Sequence, residues 1–541
     1  MKNEKTMNED TIIEETSNEE AVDKGTQNKE FLFAKVPAIE QIRQCETHAI
    51  RFGNTSSVQL MENAATACVN WIKQQFSPDV SIIAFCGMGN NGGDGLAVVR
   101  LLHESGFNCQ AYIVISREIY SSECLHQLNL LKECNIEVKE IRQEEDIPSF
   151  KRHDVVIDAL LGIGLSKPIE SSLFQAVINK INKAGGFVFA VDVPSGLFCE
   201  QPMGEQQVAV EADFTLSFQF PKLGFFFPEN YRYAGEWAIA DIGLATRFMN
   251  RMPTDYYMLE RQTVKSLIHP RRKFAHKGMF GYGLLIAGSS GMMGAAVLAS
   301  KAALRTGIGV LTVSVPLMGY DILLTSANEA VCRCDSNKHH FTGIDFSFLP
   351  KYKAVAIGCG LGNHPETAEG LKKLIGDFGG SIIFDADAIN ILANNRTWLE
   401  FIPPNCIFTP HVKEFERLTH KANNSFERLE LQRQFSMRYR CVVVLKGAHT
   451  SISTPQGKVC FNTSGNPGMA TGGSGDVLTG MILALAAQGY DAVQAAVIGV
   501  YLHGAAADQA LDKQSCESLL PSDIIENIGR AYKSLFEVES F

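Results

Sequence analysis

Asn462-Thr-Ser-Gly-Asn-Pro-Gly-Met-Ala-Thr-Gly-Gly-Ser-Gly-Asp-Val-Leu-Thr-Gly480 is the stretch from which the rest of the chain can be read. Five glycines lie between Gly465 and Gly475, a single acid follows at Asp476, and the apolar run Val477–Ala487 begins at once. Glycine permits tight turns and close backbone approach. A helix that starts directly after the glycines turns its free N–H groups back into the loop. The product is an anion cradle with one carboxylate at its lip, placed to act as a base or to orient a hydroxyl. A flexible linker seldom leads straight into a long apolar helix.

Upstream of the cradle the sequence alternates strands with glycine loops and helices. Phe280–Gly291 reads as a strand entering a Gly-Ser loop, and Gly294–Leu304 as a close-packing small-residue helix. Val310–Val315 and Ala354–Gly362 read as strands, the second entering a triple-glycine loop. Ser381–Asp385 ends in an acid, with Asp387 just beyond. Cys406–His411 ends in a histidine, with Glu414 following on a predicted helix start. Cys441–Thr450 is a strand ending in the polar turn Lys446-Gly-Ala-His-Thr450. No Gly-x-x-x-x-Gly-Lys-[Ser/Thr] loop occurs, so any phosphoryl chemistry must use a different cradle.

The N-terminal half has the same rhythm. Val36–Phe52 and Ser56–Gln75 show apolar spacings of three and four, which predict two helices. Val80–Cys86 predicts a buried strand running into Gly87-Met-Gly-Asn-Asn-Gly-Gly-Asp-Gly95, with a helix expected from Leu96. Gly87, Gly89 and Gly92 match the dinucleotide fingerprint in spacing. A dehydrogenase of that kind wants an acid closing the next strand, but Cys109–Ser116 closes on serine. The loop also carries two asparagines and Asp94, which a plain pyrophosphate turn does not need. Asp154–Asp158 and Phe187–Asp192 are strands ending in acids, each followed by a glycine-containing loop, the second with Ser195. In parallel sheets ligands bind at the carboxyl ends of strands, so Asp94, Asp158, Asp192 and Ser195 are expected at one rim. Gly224–Pro228 reads as core or interface, and residues 245–275 as a boundary between two α/β domains.

Composition narrows the classes. The chain has 541 residues, more than one domain's worth, with 45% hydrophobic and 20% charged residues and net charge −10. No basic block points to nucleic acid, and no run is long enough for a membrane helix. The polar start lacks the apolar core of a signal peptide, so a cytoplasmic protein is expected. Residues 1–30 are too polar to bury a core and are expected to be a disordered acidic tail. The 14 cysteines include no Cys-x-x-Cys pair and read as reduced thiols.

Gly-Asn-Asn-Gly-Gly-Asp-Gly (89–95), Asp-Ala-Leu-Leu-Gly-Ile-Gly (158–164) and Asp-Val-Pro-Ser-Gly (192–196) together resemble the NAD(P)H-hydrate epimerase domain. His276-Lys-Gly, Asp-Ala-Asp-Ala (385–388), Thr-Pro-His (409–411), Lys-Gly-Ala-His-Thr (446–450) and the opening stretch resemble the ADP-dependent NAD(P)H-hydrate dehydratase domain. Two departures are visible. Ser474 stands where that family commonly has Thr, keeping the hydroxyl, and Met88 stands where Pro is common.

The resemblance implies an N-terminal Rossmann-like three-layer α/β/α sandwich over 31–250 and a C-terminal ribokinase-like α/β domain over 251–541. In the first, Asn90, Asn91, Gly92, Gly93 and Asp94 would hold substrate. Gly162, Ile163, Gly164, Leu165, Ser166, Lys167 and Pro168 would line the pocket. Asp192 would contact substrate as the acid/base group, and Asn91, Asp158 and Ser195 would ligate K⁺. In the second, Asp476 would activate the hydroxyl of the S hydrate and Ala296, Gly360 and His411 would contact it. Lys446, Gly447, Ala448, His449, Thr450 and Gly475 would bind ADP, with Mg²⁺ near Glu414. The implied partners are small molecules, NADH or NADPH hydrates and ADP, with homo-oligomerisation expected. The competing reading is a ribokinase-like vitamin-precursor kinase fused to a non-catalytic nucleotide sensor.

Overall fold

The structure, a computed structural model, describes residues 34–537 apart from residues 54, 117, 184, 205, 206, 245 and 345. The tail expected over 1–30 lies outside the described residues. Strand β1 (Ala34–Lys35) precedes helices Ile39–Phe52 and Ser57–Gln75, which stand where the apolar spacing predicts them. A first sheet follows, made of β2 (Ser81–Cys86), β3 (Asn108–Val114), β4 (Val138–Ile141), β5 (Val155–Ala159), β6 (Phe187–Val191), β7 (Phe214–Phe218) and β8 (Glu236–Ala240). All seven are parallel, in the order β4-β3-β2-β5-β6-β7-β8. The order reverses between β2 and β5, which leaves a crevice beyond their carboxyl ends. Both faces are covered: Ala84 and Ile157 pack with Leu96 and Ala65 on one side, and Phe85 and Val156 with Val177 and Ile181 on the other. Strands buried on both faces read as continuous apolar runs, which is why these were legible.

One boundary differs from expectation. The helix after β2 begins at Asn90, not Leu96, with Gly89 as its N-cap. Gly92, Gly93 and Gly95 thus sit inside its first turns. Glycine is a poor helix former, but here contact requires it. A Cβ on Gly92 would lie 1.8 Å from the Gly87 carbonyl oxygen, and one on Gly95 2.4 Å from Ala159 Cβ. The glycines let the helix seat directly on the loops after β2 and β5.

The second sheet adds β9 (Tyr256–Met258), β10 (Tyr282–Ile286), β11 (Val310–Val315), β12 (Val331–Cys334), β13 (Ala354–Ile357), β14 (Ser381–Phe384), β15 (Ile407–Phe408), β16 (Val442–Leu445), β17 (Ser451–Ser453) and β18 (Val459–Phe461). Its order is β1-β9-β18-β17-β16-β15-β14-β13-β10-β11-β12, parallel from β12 through β16. Here the order reverses between β10 and β13. Helix Ser474–Ala487 is buried from Val477 through Ala487, as a helix apolar all round must be. It packs on helix Met293–Arg305 through small residues: a Cβ on Gly480 would lie 2.1 Å from the Ala299 carbonyl oxygen.

The two sheets are joined by more than chain. β1 pairs antiparallel with β9, so the start of the described chain belongs to the second sheet. Phe226 stacks on Phe461 at 4.4 Å, Phe227 meets Phe426 at 4.5 Å, and Glu229 accepts from the Ser425 amide and hydroxyl. The Gly224–Pro228 run is thus an interface between the halves.

Candidate active sites

A cavity of about 470 Å³ opens at the switch point of the first sheet. Asn90, Asn91, Asp94, Gly162, Ile163, Gly164 and Asp192 line it, as do Arg43 and Glu46 from the first helix. Gly92 and Gly93 are buried behind the wall, and Leu165–Pro168 do not contribute to it.

Asp192 is the most constrained of these residues. It follows β6 with φ +64°, and the Val193 amide donates to the Val191 carbonyl across it at 2.8 Å. That is a γ-turn of the rare positive-φ kind, a conformation that costs about 1–3 kcal/mol in a non-glycine residue. Its Oδ1 accepts from the Phe218 amide at 2.9 Å and from Lys222 Nζ at 2.7 Å. Lys222 is 1% exposed and also donates toward Ser217 Oγ (2.8 Å) and the Phe220 and Phe218 carbonyls. Sequence reasoning passed over Lys222, because a lysine beside an aromatic run looks like a solvated surface residue.

Two further carboxyls face the same space. Burial, then the neighbouring charges of Asp192 and Glu46, hold Asp94 well above the usual carboxylate range. Burial and Asp192 raise Glu46 likewise. The cavity therefore combines one cation-paired carboxylate with two that favour the proton, the division of labour that acid/base chemistry needs.

Beneath this floor lies Asp158, fully buried. It accepts from Ser195 Oγ (2.6 Å), the Ser195 amide (2.7 Å) and the Leu160 amide (3.3 Å). Burial pushes its carboxyl up to about 6 against these bonds. Asn91 Nδ2 is buried without a partner, and its side chain lies against Gly162. The two amide atoms of an asparagine are assigned by their partners, so the orphaned end can equally present oxygen. A buried carboxylate, a hydroxyl and an unpartnered amide form an oxygen-rich set that fits a hard cation.

The second site lies at the carboxyl ends of β10, β13, β14, β15 and β16. Asp385, which follows β14, is 1% exposed and takes Lys446 Nζ at 3.0 Å on one oxygen and Thr479 Oγ1 at 2.8 Å on the other. Burial disfavours the Lys446 charge, but Asp385 and Glu414 outweigh it and the ammonium is held above its ordinary value. Asp476 stands in the first turn of helix Ser474–Ala487, behind the Gly473 N-cap at φ +99°. Donor atoms of Cys359, Asp385 and Asp476 all lie within 4.8 Å of one another. Burial first, then Asp385, raises Asp476 to about 6. A Cβ on Gly475 would lie 3.2 Å from Lys446 Nζ, so glycine lets the ammonium reach the cradle. His503, also not anticipated, is buried 3.4 Å from Ser474 Oγ and pushed down to about 4 by burial, hence neutral near pH 7.

The remaining expected residues surround this centre at different depths. Gly360 (φ +59°) abuts the 288–292 loop and accepts from Ser289 Oγ at 2.9 Å, whereas Ala296 is fully buried beneath Gly288. His411 caps helix Val412–Leu418, its Nδ1 accepting from the Lys413 and Glu414 amides. Glu414 returns the bond to the His411 amide at 2.9 Å and faces His411 Nε2 at 3.4 Å. Both its oxygens are engaged, so Glu414 does not fit the role of a free Mg²⁺ ligand. In the 446–450 turn, Gly447 and Ala448 are exposed and Thr450 Oγ1 donates to the Gly447 carbonyl. The His449 ring instead packs on Phe226 and Trp237 of the first half, at 5.7 and 5.9 Å.

Among the described residues no helix is long and apolar enough to cross a membrane. Residues 57–224 match the family model described as YjeF-related protein N-terminus, and residues 283–530 the one described as NAD(P)H-hydrate dehydratase. Bifunctional NAD(P)H-hydrate repair enzymes Nnr are similar along most of their length. The one from Moorella thermoacetica is 34% identical, covering 89% of this chain and 93% of that protein. The one from Coxiella burnetii is 33% identical, covering 90% and 97%. A solved ADP/ATP-dependent NAD(P)H-hydrate dehydratase from Bacillus subtilis, co-crystallized with ATP/Mg²⁺, is 29% identical over 51% of this chain and 98% of its own, with a TM-score of 0.45.

Proposed function

The chain belongs to the bifunctional NAD(P)H-hydrate repair enzymes, and from that premise we propose a division of labour between its two sites. The segment 31–250 interconverts the R and S hydrates of NADH and NADPH. The segment 251–541 dehydrates the S form with ADP, releasing AMP and phosphate. The observation that supports this reading best is that each matched segment sets a carboxylate against a lysine at its own switch point with at least one partner buried, Asp192 with the buried Lys222 and the buried Asp385 with the half-buried Lys446 beside Asp476.

In the first site the hydrated carbon carries a hydroxyl and the ring nitrogen. Asp192, ion-paired with Lys222, takes the hydroxyl proton. The carbonyl forms as the carbon–nitrogen bond breaks, its electron pair moving to nitrogen, which takes a proton from Asp94 or Glu46, the carboxyls that burial and neighbouring charge shift upward. Rotation and closure on the other face of the carbonyl give the epimer. The Asn90–Asp94 turn, with its helix N-terminal amides, holds the phosphates. Asn91, Asp158 and Ser195 would hold K⁺, which when bound supplies a fixed positive charge below the floor.

In the second site Asp476 takes the proton of the substrate hydroxyl as its oxygen attacks the terminal phosphorus of ADP. The bond to AMP breaks, and the amides at the start of helix Ser474–Ala487 meet the charge on the moving phosphoryl group. The phosphate ester then leaves where hydroxide could not, with loss of a neighbouring ring proton restoring the double bond. Lys446–Thr450 and Gly475 hold the nucleotide, and Gly360 and His411 the hydrate. Mg²⁺ accompanies the nucleotide phosphates, and no step is assigned to it. A kinase fused to a nucleotide sensor leaves the strained, lysine-paired Asp192 without a task.

The test is recovery of NADH absorbance from a mixture of R and S hydrates with ADP and Mg²⁺. Complete recovery is expected. Recovery that stops at the S fraction would remove the epimerase assignment, and none with ADP or ATP would remove the dehydratase.

A further inference from the structure

Outside both sites, two imidazoles and a carboxylate meet at the outer edge of the second sheet. His340 Nε2 lies 2.8 Å from Glu366 Oε2, and His364 Nδ1 lies 3.9 Å from the same oxygen. The two rings stack with centroids 3.8 Å apart, and the three donor atoms fall within 4.8 Å of one another.

The scaffold beneath them is rigid. Asp335, 5% exposed, gathers the Asn337 amide (2.8 Å), the Thr342 amide (2.6 Å) and Thr342 Oγ1 (2.7 Å), which fixes the loop after β12. Thr367 Oγ1, fully buried, donates to the Phe341 carbonyl at 2.7 Å and ties that loop to helix Pro365–Asp377. His364 caps the same helix, its Nδ1 accepting from the Glu366 amide at 3.3 Å.

The hydrogen bonding at His340 is internally opposed. Asn337 Oδ1 accepts from the His339 and His340 amides, so its Nδ2, which can only donate, is the atom 3.2 Å from His340 Nε2. Nε2 then presents a lone pair, and that lone pair also faces the Glu366 carboxylate 2.8 Å away. A ring nitrogen offers a lone pair or a hydrogen, not both. A cation between Nε2 and the carboxylate removes the conflict.

We propose that His340, His364 and Glu366 form a binding site for a borderline divalent cation of the Zn²⁺ class. Two nitrogens and one carboxylate oxygen suit that ion, with water as the fourth ligand. For metal–ligand distances of about 2.0–2.1 Å the edges of a tetrahedron are about 3.3 Å. The observed 2.8 and 3.9 Å bracket that length, and small side-chain rotations complete the site, His340 Nε2 giving up the Asn337 amide and His364 Nδ1 the long 3.3 Å bond from the Glu366 amide. The ion ties the loop after β12 to the helix start after β13. None of the three residues is among those assigned to the repair chemistry.

The test is titration of the chelator-stripped, full-length chain with ZnCl₂ by calorimetry, followed by Co²⁺ spectra. Wild type should show a binding step of one equivalent that is lost in His340→Ala and in Glu366→Gln. Both variants should keep wild-type conversion of S hydrate, which shows that they fold. Bound Co²⁺ should give visible d–d bands with no thiolate charge-transfer band. An unchanged step in His340→Ala would overturn the proposal. So would a thiolate band, which would place the ion at Cys359 or at Cys332 and Cys334, and so would no binding at millimolar Zn²⁺.

Discussion

Replacing Lys222 with methionine isolates the feature on which the first site depends. The ammonium is 1% exposed and the Asp192 side chain 12%, with 2.7 Å between the charged atoms. At that separation and an effective dielectric near 20, the gross attraction is about 6 kcal/mol. Desolvation of both groups offsets part of it. Removing one partner of a buried pair typically costs about 3–5 kcal/mol. Here the change also removes the Lys222 bonds to Ser217 Oγ and to the Phe218 and Phe220 carbonyls, which keep the Phe220 amide and the Ser217 hydroxyl as donors. We expect the unfolding transition of the first half to weaken by an amount in that range. Epimerisation should fall by about 10²-fold, the lower range for losing a general base. Dehydration of the S hydrate should be unchanged. A double change with Asp192→Asn should regain stability relative to additivity but no epimerase activity. The assays are denaturant unfolding and chromatographic R-to-S interconversion. Wild-type stability with a wild-type rate of epimerisation in Lys222→Met would refute the reasoning.

Four further outcomes are expected. Asp476 is held at about 6, so the rate of S-hydrate dehydration should fall as pH drops through about 6, and Asp476→Asn should form no NADH; an acid limb near the ordinary 3.8 would contradict this. The same shift carries a stability sign. A carboxyl raised in the folded state is most favourable below its unfolded value and loses stability as pH rises through about 6, so Asp476→Asn should unfold at higher denaturant than wild type at pH 7. Gly475→Ala places a Cβ 3.2 Å from Lys446 Nζ and should push the ammonium off Asp385, lowering dehydration while stability changes by no more than about 1 kcal/mol, because only the flexible end of a lysine must move. Gly92→Ala drives a Cβ to 1.8 Å from a backbone oxygen and should destabilise the first half by about 3 kcal/mol, measured by its unfolding midpoint.

Much of this architecture was legible because parallel strands buried on both faces leave continuous apolar runs ending in polar loops. The convergence of Asp94 and Asp192 on one cavity, with Asp158 and Ser195 hydrogen-bonded below it, follows from strand-end position alone. What escaped reading depends on contacts between distant segments. The helix start at Asn90 reverses a propensity argument, since glycine's cost is overridden by close packing on Gly87 and Ala159. Lys222 reaches Asp192 across 30 residues of sequence, and no local pattern marks a lysine as buried. Asp385 was visible as a strand-end acid, yet its bond to Lys446 spans 61 residues. His449 reads as part of a nucleotide turn, but its ring packs against the other half of the chain.

The central claim is that two sites act in series on one substrate, and purified R hydrate tests it most directly. With ADP and Mg²⁺, the wild-type chain should convert R hydrate completely to NADH. Asp192→Asn should give no enzymatic conversion, whereas Asp476→Asn should accumulate the S epimer without NADH. NADH formed from R hydrate at the wild-type rate in Asp192→Asn, or at any appreciable rate in Asp476→Asn, would contradict the account.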